Sequence, residues 1–591
     1  MACRSVFIGF LASTLVGGVA CGQQAPMCHS AESVVQGVAP EKLPVPVKMT
    51  GIGNGSMTIT AANDEAKMWF TQGLNLLHDF WDYESAKAFE QAIRSDPQCA
   101  MCYWGLYQAQ VFRSTDDPRG KVSLDRAVEL KKHASKADQL YIKAALEGYK
   151  ASKEKKQPKK KHADSGKHVD SKEAKLLRKV VALEPNDVQA RIFLAGAVRD
   201  GFDAKGEPRA GTAEGQRILT EILKEHPDDS AANHYWIHAM EPGNHPELAL
   251  ESAKKLGSLT PASGHMVHMP GHIFYRTGDY ETARESFLDS MRVDETYMQT
   301  QGVAVTDDWN YVHNLMYLIA DLMEAGRVRE AMEISAKLTK ARGEVGSTLY
   351  RQTPRDGMTR LSVELPVLLR AGAWQNAADA LEASTPNPDL KNLAGLRGAM
   401  LDYTQGMAAL EHGDVKGAAE KSDALDKWAK TQPDAKEDMS GMSMSKDAMA
   451  KPVHSYLDVA AQELRASVLL AQGRGVESDA MFAKAADAEK ELGYREPPFY
   501  IRPVEETRGD ALLRAKRFDE AKKAFETALK QRPNSGFALY GVAQADAGAN
   551  RRAETTQDYA RLLKAWAQAD ADLPQMQAAR QWMERQAVDG E

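Results

Sequence analysis

Two distant stretches of the chain share one spacing. In "GLNLLHDFWDYESAKAFEQAIRSDP", Gly73 is followed by Phe89, Ala92 and Pro97; in "GDALLRAKRFDEAKKAFETALKQRP", Gly509 is followed at the same intervals by Phe525, Ala528 and Pro533. Each unit reads as a helix, a short polar turn, a second helix and a proline stop. Apolar residues recur at helical intervals, and the alternation of a strand is missing. A helical hairpin of this size cannot bury its apolar stripe alone. Repeated hairpins that stack against one another can, and the product is an all-α solenoid with a long concave groove.

Length agrees with an array. The chain has 591 residues, whereas single domains usually span ~100–200. Hydrophobic residues are 43% and charged residues 27%, an ordinary balance for a folded chain. The net charge of -7 argues against nucleic acid as partner, because phosphate binding needs a basic face.

The first residues, "MACRSVFIGFLASTLVGGVACGQQ", place one basic residue before an apolar run and then small residues, as a secretory signal peptide does. Cleavage after Ala20 would leave Cys21 at the new terminus. "GVAC" resembles a bacterial lipobox, with Gly18 where leucine is usual. The expectation is an exported protein, either periplasmic or anchored to the outer membrane through a lipid on Cys21.

The helical hairpins resemble the tetratricopeptide repeat (TPR) family, whose unit is 34 residues of helix–turn–helix. Ala521 falls at the family's small-residue slot, and "LEPND", "HPDDS" and "RPNSG" look like repeat junctions. The resemblance runs from about Ala62 onward, is weak around residues 345–480, and implies a right-handed superhelix. It sets the expected organisation: signal peptide 1–20, flexible segment 21–61, N-terminal repeats 62–149, Lys-rich linker 150–173, central His-rich repeats 174–345, degenerate repeats 346–431, Met-rich linker 432–452 and C-terminal repeats 453–591. The Lys-rich linker has too few apolar residues to join a core. It reads as a solvated loop or as a contact for an anionic surface.

The register also places the histidines. Gly271, Ala283 and Phe287 repeat the intervals of Gly509, Ala521 and Phe525, so His265, His268 and His272 stand at offsets -6, -3 and +1 from a first-helix glycine. Ile237 takes the glycine slot of the preceding unit, with His234 at -3, His238 at +1 and Glu241 at +4. Ile319 takes it in the following unit, with His313 at -6 and Met316 at -3. Gly105 takes it near the N-terminus, with Cys99 at -6 and Cys102 at -3. At ~100° per residue these offsets share one quadrant of a helix. Neighbouring first helices therefore carry one stripe of metal-ligating side chains, on the face that lines the groove in the resembled family.

His234/His238 and His268/His272 have the i, i+4 spacing that allows chelation. Pro270 removes one helical hydrogen bond between them. The stripe reads as a metal site, as a polar groove for an acidic or peptide ligand, or as a hydrogen-bond network. "HYWIHAMEPGNHPELAL", "SGHMVHMPGHIFYRTGDYETA", "DPQCAMCYWG" and "EPPFYIRPVEE" resemble segments of exported bacterial TPR proteins that carry "HNxHF" where this chain has His313-Asn314-Leu315-Met316-Tyr317. Methionine in place of that histidine favours a softer metal. With Met439, Met442 and Met444 in "MSGMSMSKDAM", which reads as a flexible linker or a copper-capturing loop, it makes copper the first expected metal and zinc the second.

Cys99 and Cys102 open a helix after Pro97 and read as a disulfide or as a second metal or redox pair. A thioredoxin context and a CxxCH haem motif are both missing. The expected role is a binding scaffold for a protein or peptide, not an enzyme. The alternatives are a metal-dependent hydrolase or oxidoreductase with Glu241 as base, and an adaptor without metal. HExxH, GxSxG and phosphate-binding glycine loops do not occur.

Overall fold

The computed structural model describes residues 45–112, 117–154, 169–203, 205–306, 308–341, 354–431 and 450–589. The signal segment, Cys21, Met439, Met442 and Met444, and most of the Lys-rich linker lie outside the described residues. Among those described there is no strand, only an isolated bridge between Phe202 and Pro208. The chain is a succession of antiparallel helical hairpins, as the repeat spacing predicts. No described helix is long and apolar enough to cross a membrane.

The shared spacing has a steric cause. Gly73 lies on the helix Asp64–His78 and Phe89 on its partner Asp82–Ser95. A side chain on Gly73 would come within 2.9 Å of the Phe89 ring, and one on Gly105, in the next helix, within 2.2 Å. One aromatic ring is thus seated between two backbones that approach too closely for a Cβ. Phe525 is held the same way, 2.6 Å from the Cβ position of Gly509 and 2.4 Å from that of Gly541. In the centre Gly271 stands 2.4 Å from Phe287 by the same measure.

Four first helices are followed by a left-handed residue seven positions beyond the glycine slot, at Phe80, Gly278, Gly326 and Lys516; those with Gly105 and Ile237 in the slot are not. Gly326 follows Ile319 by that interval, so the backbone supports the register in which isoleucine fills the slot. Gly413 follows Gly406 in the same way, so the segment expected to be degenerate keeps the hairpin geometry with little of its sequence pattern.

The array does not stay open. Core residues of the central hairpins, Ile237 to Ala341, pack in one cluster with Phe537, Leu539, Tyr559, Leu562 and Trp566 from the C-terminal hairpins. Trp566 Nε1 donates to the Glu324 carbonyl at 2.7 Å, and Asp570 N to the Gly326 carbonyl at 3.0 Å. Arg370 is buried between Glu324 and Glu506, each held at 2.7 Å.

On the other side the expected flexible segment 21–61 is fixed in its described part. Ile52 and Ile59 are buried, Ala262 N donates to the Gly51 carbonyl at 3.0 Å, and Asn54 exchanges two hydrogen bonds with Ser230. Its apolar residues and its asparagine are used, so it is not a tether.

Candidate metal centre

Three first helices meet at the histidines. Ser230–Met240 carries His234 and His238 and is capped by Glu241; Gly264–Thr277 carries His265, His268 and His272; Trp309–Glu324 carries His313 and Met316. Asp229 and Asp308 cap the first and third by accepting from Ala232 N and Tyr311 N. These caps satisfy backbone donors that a helix start leaves free.

The stripe is buried, not displayed on an open groove. His234, His268 and His272 are 0% exposed, His313 4% and His265 5%. Aromatic rings cover it, one of them from a distant hairpin. Phe80 holds a left-handed backbone, φ 57°, unusual for a bulky side chain and costing ~1–2 kcal/mol. Its ring stacks on His238 at 5.1 Å and on His265 at 5.2 Å, and lies 4.6 Å from His234. Trp309 stands 5.2 Å from His265. Tyr317 stands 4.5 Å from His272 and stacks on Phe287 at 5.0 Å.

Hydrogen bonds fix the orientation of five imidazoles. His234 Nδ1 lies 2.6 Å from the carbonyl of His78. His238 Nδ1 lies 2.5 Å from Glu241 Oε1, and His272 Nδ1 2.7 Å from Glu241 Oε2. His268 Nδ1 lies 2.7 Å from Asn314 Oδ1, and His265 Nδ1 3.3 Å from Asn310 Oδ1. The amide oxygens are identified by the other ends of the two asparagines: Asn314 Nδ2 donates to the Phe287 carbonyl and Asn310 Nδ2 to Asp294, both at 2.8 Å.

All five partners accept only, so each Nδ1 carries the proton and each Nε2 presents a lone pair. Those lone pairs converge. His234 Nε2 and His265 Nε2 are 3.2 Å apart, His268 Nε2 and His272 Nε2 2.6 Å apart. His238 Nε2 is buried without a hydrogen-bond partner. Two acceptors face to face repel unless a cation or a proton lies between them.

Electrostatics favour the neutral form of four of these rings. Burial, followed by the neighbouring imidazoles, pulls His234, His265 and His268 well below the ordinary histidine range. Burial also lowers His272, against the pull of Glu241. Burial alone would raise the Glu241 carboxyl, but His238 and His272 hold it well below the usual carboxylate range. Glu496, 3.7 Å from His272 Nδ1, is pushed well above that range by burial and by the Glu241 carboxylate.

The donors fall into sets whose ligand atoms lie within 4.8 Å of one another: His234, His238 and His265; His268, His272 and His313; and His238, Glu241 and Glu496. Neutral imidazoles with Nδ1 tied to an oxygen are the usual state of metal-binding histidines. The residues therefore fit a first-row metal ion.

Two expectations change here, and of the two readings of the cysteine pair the disulfide holds. Glu241 is not a free base, because both its oxygens receive imidazole N–H groups. Met316 is 2% exposed within the hydrophobic core, and both three-histidine sets are complete without it. Cys99 and Cys102 form a buried disulfide with Cα atoms 5.3 Å apart, which leaves no thiolate for a second metal.

The sequence reading missed Phe80, Asn310, Asn314, Tyr317 and Glu496. Asn314 and Glu496 lay in quoted stretches, beside His313 and at the head of "EPPFYIRPVEE", but their partners come from other hairpins.

Residues 506–535 match the family model described as tetratricopeptide repeat. No curated protein matches the sequence. Among solved structures, yeast Tom70 is 13% identical, with 88% of this chain and 96% of that one covered and a TM-score of 0.25. The human IFIT1 dimer with m7Gppp-AAAA is 10% identical, covering 86% and 96%, with a TM-score of 0.32. The TPR domain of P58(IPK) is 12% identical, covering 68% and 99%, with a TM-score of 0.17. The matched segment is the hairpin in which Gly509 meets Phe525, and the chain is an all-α helical-repeat protein that carries a tetratricopeptide repeat there.

Proposed function

We propose that the protein is an exported helical-repeat scaffold with a histidine-lined metal centre buried between its central hairpins, and that it acts by binding rather than by catalysis. The helical-repeat fold is a protein-interaction architecture. The observation that carries the metal reading is the convergence of buried, unprotonated Nε2 atoms whose Nδ1 partners all accept. A network built only for stability would alternate donors with acceptors, because facing lone pairs cost free energy in a low dielectric.

Copper and zinc are the two candidate ions. Imidazole donors suit both. The methionines Met439, Met442 and Met444 favour copper, while a nitrogen-only donor set backed by a carboxylate favours zinc.

Export is supported by the N-terminal sequence and by the Cys99–Cys102 disulfide, a bond that oxidising compartments maintain. Lipid attachment at Cys21 belongs to the same proposal. A partner protein or peptide has a cleft of about 900 Å3 to dock in, lined by Met49, Trp81, Val267, Phe274, Arg292 and Tyr297.

Metal content of the purified mature protein, quantified by mass spectrometry after incubation with Cu2+ or Zn2+ and desalting, tests the centre. Retained metal that is lost in the double variant His234→Ala, His268→Ala is expected. Metal-free protein, or equal loading in the variant, would contradict it.

A further inference from the structure

We propose that the centre holds two metal ions, one on His234, His238 and His265 and one on His268, His272 and His313, with Glu241 as a carboxylate shared behind both. This rests on the metal reading above and adds the number of ions and their coupling.

The two sets are separate in donors and built alike. Each combines an i, i+4 pair on one helix with a single histidine from the next: His234 and His238 with His265, then His268 and His272 with His313. An i, i+4 pair lets two side chains of one helix face the same point, and the third imidazole closes a face of a coordination sphere. Three neutral nitrogens and one open position are a recurring arrangement for zinc.

One ion cannot use both sets. Zn–N bonds are ~2.0–2.1 Å and structural sites hold four ligands, so six imidazoles on three helices exceed one tetrahedral shell. Tetrahedral ligands on such an ion stand ~3.3 Å apart. His234 Nε2 and His265 Nε2, at 3.2 Å, already have that separation. His268 Nε2 and His272 Nε2, at 2.6 Å, would open by ~0.7 Å on binding.

Glu241 links the sets. Its Oε1 receives His238 Nδ1 from the first and its Oε2 receives His272 Nδ1 from the second. A carboxylate behind a ligating imidazole orients the ring and raises its basicity, and losing it typically costs 10–100-fold in metal affinity. Here one carboxylate serves a ligand of each ion, so a single substitution should weaken both. Glu496, beside Glu241, belongs with His238 and Glu241 to the third donor set and lies where it could neutralise part of the added charge.

Native mass spectrometry of the mature full-length protein, stripped with chelator and titrated with Zn2+, reads the count directly and needs no variant. Two ions per chain are expected. His238→Ala with His265→Ala should leave one ion, and so should His272→Ala with His313→Ala. Glu241→Gln should weaken both binding steps by ~10–100-fold, while circular dichroism confirms retained helix. One ion per chain, lost in either double variant, would overturn the two-ion inference and leave the single metal centre standing. No bound ion would overturn both. Two ions in wild type and in both double variants would place them elsewhere and overturn the assignment. A Glu241→Gln effect on only one step would overturn the sharing.

Discussion

The hairpin around Phe525 and the hairpin around Phe287 begin from the same spacing and end with different interiors. Phe525 is gripped by Gly509 on one side and Gly541 on the other; its surroundings are a matter of shape. Phe287 keeps Gly271 on one side, but its other neighbours are Tyr317 at 5.0 Å and His268 at 4.8 Å. The second glycine has given way to a stacked ring and an imidazole. Burying so many polar nitrogens in the second hairpin is unfavourable unless something satisfies them. The first hairpin shows that the scaffold does not need them. The polar interior is therefore the part of the repeat array that structure alone does not explain.

Truncating the two rings tests this contrast with the largest effect. Phe525→Ala and Phe287→Ala should each cost ~3–5 kcal/mol, as buried aromatic-to-alanine changes do, read as a lowered urea midpoint. Only Phe287→Ala should also weaken metal binding, because its ring backs His268. Equal metal affinity in the two variants would erase the functional difference between the hairpins.

The C-terminal half has one buried carboxyl that sharpens the comparison through pH. Glu463 Oε2 accepts from Tyr403 and Tyr500, each at 2.5 Å. Burial pushes its pKa up to about 7 against the hydrogen bonds that favour its charge. The folded state therefore holds a proton that the unfolded chain, with an ordinary pKa near 4.5, has lost. Stability should fall as pH rises from about 4.5 to about 7, by ~3 kcal/mol in all from this group, and level off above. Buried Glu489 is likewise raised to about 7, so urea midpoints across that range should slope in wild type and slope less steeply in Glu463→Gln. An unchanged slope would remove Glu463 as its source.

Smaller effects come from the glycines. Gly541→Ala places a methyl 2.4 Å from Phe525 and should cost ~1–3 kcal/mol by overpacking. Gly398→Ala, in the helix Lys391–Glu411 with nothing within 4 Å of the new Cβ, should be neutral or stabilising by up to ~1 kcal/mol. Equal thermal unfolding midpoints for the two variants would contradict the gripped-ring explanation of the repeat spacing.

The hairpins were legible because their constraint is local. A glycine that meets a phenylalanine within one unit leaves a fixed interval in the sequence, and three units then bring His234, His268 and His313 into register. The burial of those histidines was not legible. It depends on Phe80 and Glu496, which arrive from other hairpins, and on the C-terminal repeats folding back through Arg370 and Trp566. No period in the sequence encodes a contact between residues hundreds of positions apart. The degenerate segment shows the converse: Gly406 and Gly413 keep the backbone geometry, while Leu464 rather than a phenylalanine meets the glycine. Asn310 and Asn314 escaped notice because they ligate nothing; they only hold imidazoles in one tautomer.

X-ray absorption spectroscopy on the metal-loaded mature protein tests the central claim most directly. A first shell of nitrogen with the outer-shell scattering of several imidazoles is expected, without a sulfur contribution from Met316. A shell dominated by oxygen or sulfur, or lacking imidazole scattering, would contradict the assignment of the buried histidines as ligands.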